Sequence, residues 1–89
     1  MFASPESITV SSAKQALQTG LAAIAGGELQ FDFASLQHVD SAAVATLLAW
    51  QRAAHKAGRH LQFVNLPETL KSLVQMYGVA ELLMPASAT

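Results

Sequence analysis

Leu29-Gln30-Phe31-Asp32-Phe33-Ala34-Ser35-Leu36-Gln37-His38-Val39-Asp40-Ser41-Ala42-Ala43-Val44 is the stretch whose reading decides the fold. Leu29, Phe31 and Phe33 alternate with Gln30 and Asp32, the period-two pattern of a strand with one buried face. A loop over 34–38 follows. Val39 then places one apolar side chain, Asp40-Ser41 supply capping oxygens, and good helix formers run on to Gly58. Either Asp40 or Ser41 can accept hydrogen bonds from the first free N–H groups of that helix. With Asp40 as the cap, the Ser41 hydroxyl lies at the positive end of the helix dipole, where a phosphoryl group is stabilised. With both residues serving only to start a helix, nothing further is implied.

Working outward, residues 8–10 (Ile8-Thr9-Val10) are predicted to form one short strand. A helix capped by Ser11 or Ser12 then buries Ala16, Leu17, Leu21 and Ile24 and ends at Gly26-Gly27. Beyond the long helix, about 42 to 57, Leu61, Phe63 and Val64 make the next strand. Pro67 opens a third helix with Leu70, Leu73, Val74 and Tyr77 on one face. Gly78 stops it, residues 79–84 add one apolar turn, and the tail over 86–89 is expected to be disordered. Strand and helix alternate, so the fold class is α/β: a small parallel or mixed sheet with helices packed on it.

The long helix is unusual. Val44, Leu47, Leu48, Gln51 and Ala54 define a sheet-facing side, while Ala42, Ala45, Thr46, Ala49 and Ala53 form a stripe of methyl groups opposite. A solvated face normally carries Glu, Lys or Gln, so the stripe reads either as a docking face or as alanine chosen for propensity. Trp50, between the two sides, is expected to be half exposed, the position of a binding anchor.

Composition narrows the function. The 89 residues make one domain, 52% hydrophobic and only 12% charged. A net charge of −1 leaves no basic stripe for nucleic acid. There is no cysteine, hence no disulfide framework or thiolate chemistry. The opening Met1-Phe2-Ala3-Ser4-Pro5-Glu6 is not a signal peptide, and no apolar run is long enough for a membrane span. A cytoplasmic protein is expected. His38, His55 and His60 lack further ligands at metal spacing and read as solvent-exposed. Ser41 has neither an activating histidine nor nucleophile-elbow glycines. Asp32 reads as a wetting residue on the polar strand face rather than half of an acid pair with Asp40. No enzyme, metal or cofactor is implied.

The string from Phe31 to Val44, with Leu47-Leu48, Ala57-Gly58-Arg59 and Asn65-Leu66-Pro67, resembles the STAS domain (sulphate transporter and anti-sigma-factor antagonist) over about 8–85. The ending Met76-Tyr77-Gly78-Val79-Ala80-Glu81-Leu82-Leu83 is similar to its MlaB-type branch, the small subunits of bacterial ABC transporters that move phospholipids between membranes. The resemblance implies a non-catalytic module that docks on a cytoplasmic ATPase through the start of the long helix, with Asp40, Ser41, Ala42, Ala45, Thr46, Ala49, Trp50 and Ala53 at the contact. It places Ser41 at the residue phosphorylated in anti-sigma-factor antagonists, whose partner is a kinase. Ala42 and Ala43 stand where those antagonists carry Ser and Gly, which leans toward the transporter branch. A third reading is a small-ligand module, since some family members bind nucleotides. The family's N-terminal hairpin is shortened here, leaving an edge at residues 8–10 for a weak homodimer.

Overall fold

Phe31 occupies the middle of a three-stranded sheet. The computed structural model describes residues 1–79. Its elements are β1 (Phe2–Ala3), β2 (Ser7–Ile8), α1 (Ala13–Ala25), β3 (Gln30–Asp32), β4 (His38–Val39), α2 (Ser41–Lys56), β5 (Gln62–Val64) and α3 (Glu68–Met76). One sheet runs β1-β3-β5 and a separate pair joins β2 to β4, every pairing parallel. The register sets Phe2, Phe31 and Phe63 in one row across the sheet. Strand alternation sends this row to the helix-covered face, while Gln30, Asp32 and Gln62 take the other. The sheet is therefore buried on one side, as the alternation predicts for Phe31 and Phe33, while Leu29, expected on the same face, precedes the strand and is exposed.

Above the phenylalanine row stands Trp50, fully buried. Its ring centroid lies 5.1 Å from Phe31, 6.0 Å from Phe2 and 6.3 Å from Phe33. Edge-to-face contacts of this kind place the positive rim of one ring against the negative face of another. The indole Nε1 donates to the Leu17 carbonyl at 3.1 Å, so its only polar atom is satisfied in α1. Gly20 makes room for it: a Cβ there would overlap the indole. The two long helices meet across that notch.

This geometry corrects the expected face of α2. Trp50 is core rather than half exposed, and Thr46 is buried, its hydroxyl donating to the Ala42 carbonyl at 2.8 Å. Ala53 also packs against the core. The reason is α1, which covers this side of α2, so small residues serve helix–helix approach there. Only Ala45 of the stripe is exposed, with Ala42 and Ala49 half-buried. Val44, Leu47, Gln51 and Ala54 are buried as expected, and Leu48 lies half-buried at the boundary. Gln51 tolerates burial because its amide meets Leu61 twice, accepting from Leu61 N at 3.0 Å and donating to Leu61 O at 3.4 Å.

The N-terminus departs further from expectation. The strand predicted over 8–10 ends at Ile8, and an additional strand, β1, precedes it. Ile8 is fully buried and paired with Val39, whereas Val10 is 80% exposed. Ser12 explains the early end. Its hydroxyl accepts from Thr9 N at 3.0 Å and donates to Ser7 O at 3.1 Å, folding the chain back before a longer strand can form. Leu21 is partly exposed rather than core, while Gly20 takes the inward position beside it. Tyr77, expected on the buried face of α3, is 53% exposed because it is the residue that closes the helix. The apolar turn expected over 79–84 and the tail over 86–89 lie outside the described residues, apart from Val79.

On the polar side, Asp32 closes β3 and accepts from Asn65 Nδ2 at 2.9 Å and from Ala34 N at 3.0 Å. Asn65 adopts φ 58°, a left-handed turn residue that leads β5 toward α3. The Asn65 hydrogen bond first, and the Ala34 N–H second, hold the Asp32 carboxyl below its ordinary value of 3.8.

Two expectations follow from these contacts. Gly20→Ala gains roughly 1 kcal/mol of helix propensity yet forces α1 off the indole. The net change should be a loss of about 1–3 kcal/mol in denaturant unfolding followed by Trp50 fluorescence. A midpoint equal to or above wild type would remove the close-approach account. For Asp32 the folded-state pKa lies below the unfolded one, so its contribution is whole above pH 3.8 and fades as pH falls through the folded value. Asp32→Asn should therefore flatten the acid limb of the stability–pH curve below that point and leave the neutral-to-alkaline slope unaltered. An unchanged acid limb would show that the Asn65 contact has no energetic weight.

Candidate functional site

The start of α2 is organised by one carboxylate. Asp40 has an extended backbone (φ −140°, ψ −167°), the geometry of a helix cap. Its Oδ1 accepts from Ala42 N at 2.8 Å, and its Oδ2 accepts from Val10 N at 3.0 Å. Of the two capping residues the sequence allows, Asp40 is the one used. It also ties the loop after β2 to the helix start. Ser41 is consequently the first residue of α2, and it is exposed. The first turn of α2 carries no acid beyond the cap, so the Asp40 carboxylate alone offsets the positive helix end.

From Ser41 an outward face runs along the helix through exposed Ala45 and half-buried Leu48 to exposed Arg52 and His55, at steps of four and three residues. Tyr77 and Val79, at the end of α3, stand across from it. With Ser41, Val44, Ala45 and Leu48 they line a shallow depression of about 380 Å³. Of the predicted contact residues, Ser41 and Ala45 line this depression, Asp40 caps the helix beside Ser41, and Ala42 and Ala49 are half-buried elsewhere on α2. Thr46 and Trp50 are buried on the opposite, α1-covered side, and Ala53 is half-buried there beside Leu21, Ile24 and Ala57.

Sequence reasoning missed Val10 and Tyr77 as surface apolar groups at this end of the molecule. The signals were present. Ser11-Ser12 directly after Val10 is a helix-start signature that forbids a longer strand, and Gly78 directly after Tyr77 puts the tyrosine at the helix terminus. Both side chains are left exposed by chain reversals rather than by polarity.

Asp32 accepts from the Ala34 N–H and the Asn65 side chain, and Asp40 from the backbone N–H groups of Val10 and Ala42. His55 and His60 are exposed with ring centroids 5.9 Å apart. Among the described residues no group of three or more His, Cys, Asp or Glu could hold a metal ion. No helix among them is long and apolar enough to cross a membrane.

The cap assignment has a direct test. Asp40→Ala should cost about 0.5–2 kcal/mol in equilibrium unfolding, since it removes the side-chain cap. Ser41→Ala should be close to neutral. A larger loss at Ser41 than at Asp40 would reverse the assignment.

The family model described as "Mlab, STAS domain" matches residues 6–85. No curated protein and no solved structure matches the chain. STAS domains are generally non-catalytic binding modules. On a match of that length, this chain belongs to the STAS domain family, closest to its MlaB type.

Proposed function

We propose that this chain is an accessory subunit that docks on the cytoplasmic ATPase of a lipid-transporting ABC system through the start of α2. The observation that carries the reading is the outward face of Ser41, Ala45 and Leu48, held in place by the Asp40 cap and bordered by exposed Tyr77. A small-residue face permits close approach of another helix, and apolar groups left in water at one end favour burial by a partner. The MlaB-type match supports the transporter setting. In this reading the protein sits at the inner face of the inner membrane through its partner, with no insertion of its own. The short strand Ser7–Ile8, paired with β4 on one side, leaves an edge near residues 8–10 for a weak homodimer.

A second reading is an anti-sigma-factor antagonist switched by a kinase, and the exposure of Ser41 at a helix N-terminus is what favours it. A phosphate there would gain from the helix dipole but sit beside the Asp40 carboxylate, adding about −1.5 to −2 charge to the docking face.

Ala45→Glu should leave Trp50 fluorescence and thermal unfolding unchanged and abolish co-purification with the ATPase. A carboxylate buried without a partner costs several kcal/mol. Ser41→Thr should bind normally, and Ser41→Ala should weaken binding by about 0.5–1.5 kcal/mol, the value of one hydrogen bond. Normal binding by a folded Ala45→Glu protein would move the interface elsewhere. Intact mass of the protein from its native host separates the two readings, because growth-dependent phosphate on Ser41 would sink the constitutive subunit.

A further inference from the structure

Helix α2 ends in a turn that is fixed twice. Arg59 N donates to the Ala54 carbonyl at 2.8 Å and Gly58 N to the His55 carbonyl at 2.9 Å, with Gly58 at φ +74°. This is the double closure by which a left-handed glycine terminates a helix. Two residues after Arg59, the Gln51 amide holds both backbone groups of Leu61. His55 stands on the last turn of the helix, and His60 falls between Arg59 and Leu61. Both imidazoles therefore hang from backbone that these hydrogen bonds hold in place.

The turn brings two nitrogen ligands together. In an uninterrupted helix, residues five apart would point about 140° away from each other. The reversal at Gly58 instead turns His60 back toward His55, and their ring centroids lie 5.9 Å apart with planes at 51°. A zinc–imidazole bond of about 2.0–2.1 Å puts each ring centroid roughly 3.2 Å from the ion. Two rings on one tetrahedral ion then have centroids about 5.2 Å apart, and no two rings sharing an ion exceed about 6.4 Å. The observed separation is inside that limit and within about 1 Å of the tetrahedral value. Both side chains are exposed, so the small rotation that closes the gap disturbs no packing.

The donors decide the ion. Imidazole suits Zn²⁺, Cu²⁺ and Ni²⁺, whereas Ca²⁺ and Mg²⁺ are held by oxygen. Lys56 and Arg59, next to the two histidines in sequence, repel any dication, so the metal–nitrogen bond rather than net charge must supply the attraction. Among the described residues no third His, Cys, Asp or Glu joins the pair. Water completes the coordination, as in sites that keep open positions.

We propose that His55 and His60 form a two-imidazole site for a divalent transition ion of the zinc, copper and nickel group, bound across the turn that joins α2 to β5. The unfolded chain does not hold the two rings together, so the ion binds the folded state in preference and stabilises it. The site stands apart from the docking reading, whose contact begins at Ser41, the other end of α2.

Zinc chloride titrated into the untagged full chain tests this, the tag being removed because its histidines would compete. In NMR the imidazole C–H signals of His55 and His60 should both move, while those of His38, the third histidine, stay in place. The thermal midpoint should rise with zinc and return on addition of a chelator. His55→Gln and His60→Gln should each lower zinc affinity in calorimetry by about tenfold or more, and His38→Gln should bind like wild type. The titration of the native chain decides the matter even if one variant proves unstable. Movement of only one of the two imidazoles, equal movement of all three, or undiminished affinity in either variant would overturn the proposal. Equal shifts with calcium or magnesium chloride would overturn it as well.

Discussion

The indole of Trp50 against the bare backbone of Gly20 is the constraint on which the rest of the molecule depends. In a domain this small a single large side chain supplies much of the core, and here it fills the space between two helices and the aromatic row of the sheet. Its nitrogen needs an acceptor, and the carbonyl of Leu17 provides it from the turn of α1 that precedes Gly20. The position and rotation of α1 on α2 are thereby fixed together. Once α1 is seated, Thr46 is covered and Ala53 half-covered, and the outward side of α2 is what remains: Ser41, Ala45, Leu48 and Arg52. The candidate docking face is therefore a by-product of where the indole goes.

A second, smaller organising group is the Asp40 carboxylate. Each of its oxygens holds a backbone N–H from a different part of the chain, one in α2 and one in the loop after β2. A serine at the same place has one oxygen and cannot do both. That difference explains why the acid is the cap and the serine next to it remains exposed.

Much of this was legible in the residues. The buried alternation of Phe31 and Phe33, the Asp-Ser helix start, the glycine stop at Gly58 and the apolar face of α3 through Leu70 and Val74 all appear where local rules put them, whereas Leu29 falls outside β3 and is exposed. These are features set by neighbours within a few positions. What escaped depends on distant partners. Nothing near Trp50 in sequence announces that Gly20, thirty residues earlier, leaves a notch for it, so the indole read as half exposed. The alanine stripe failed for the same reason: small residues favour helix contact and solvent exposure alike, and only the placement of α1 distinguishes them. Strand β1 escaped because two residues show no period. Its partner Phe31 is what makes Phe2 a strand residue.

The paired hydrogen bonds between the Gln51 amide and Leu61 carry a consequence for how this chain can vary. A side chain here takes the role of a neighbouring strand and closes a ring of backbone through the end of α2, the turn at Gly58 and the entry to β5. Inserting or deleting one residue inside that ring would present the wrong backbone groups to the amide and strand a buried polar atom. Kindred sequences should accordingly keep the number of residues between these two positions fixed. Length differences should fall instead in connections with no such closure, such as the turn between α1 and β3. The distance between a glutamine and a leucine then becomes a ruler for aligning distant relatives whose letters have otherwise drifted apart.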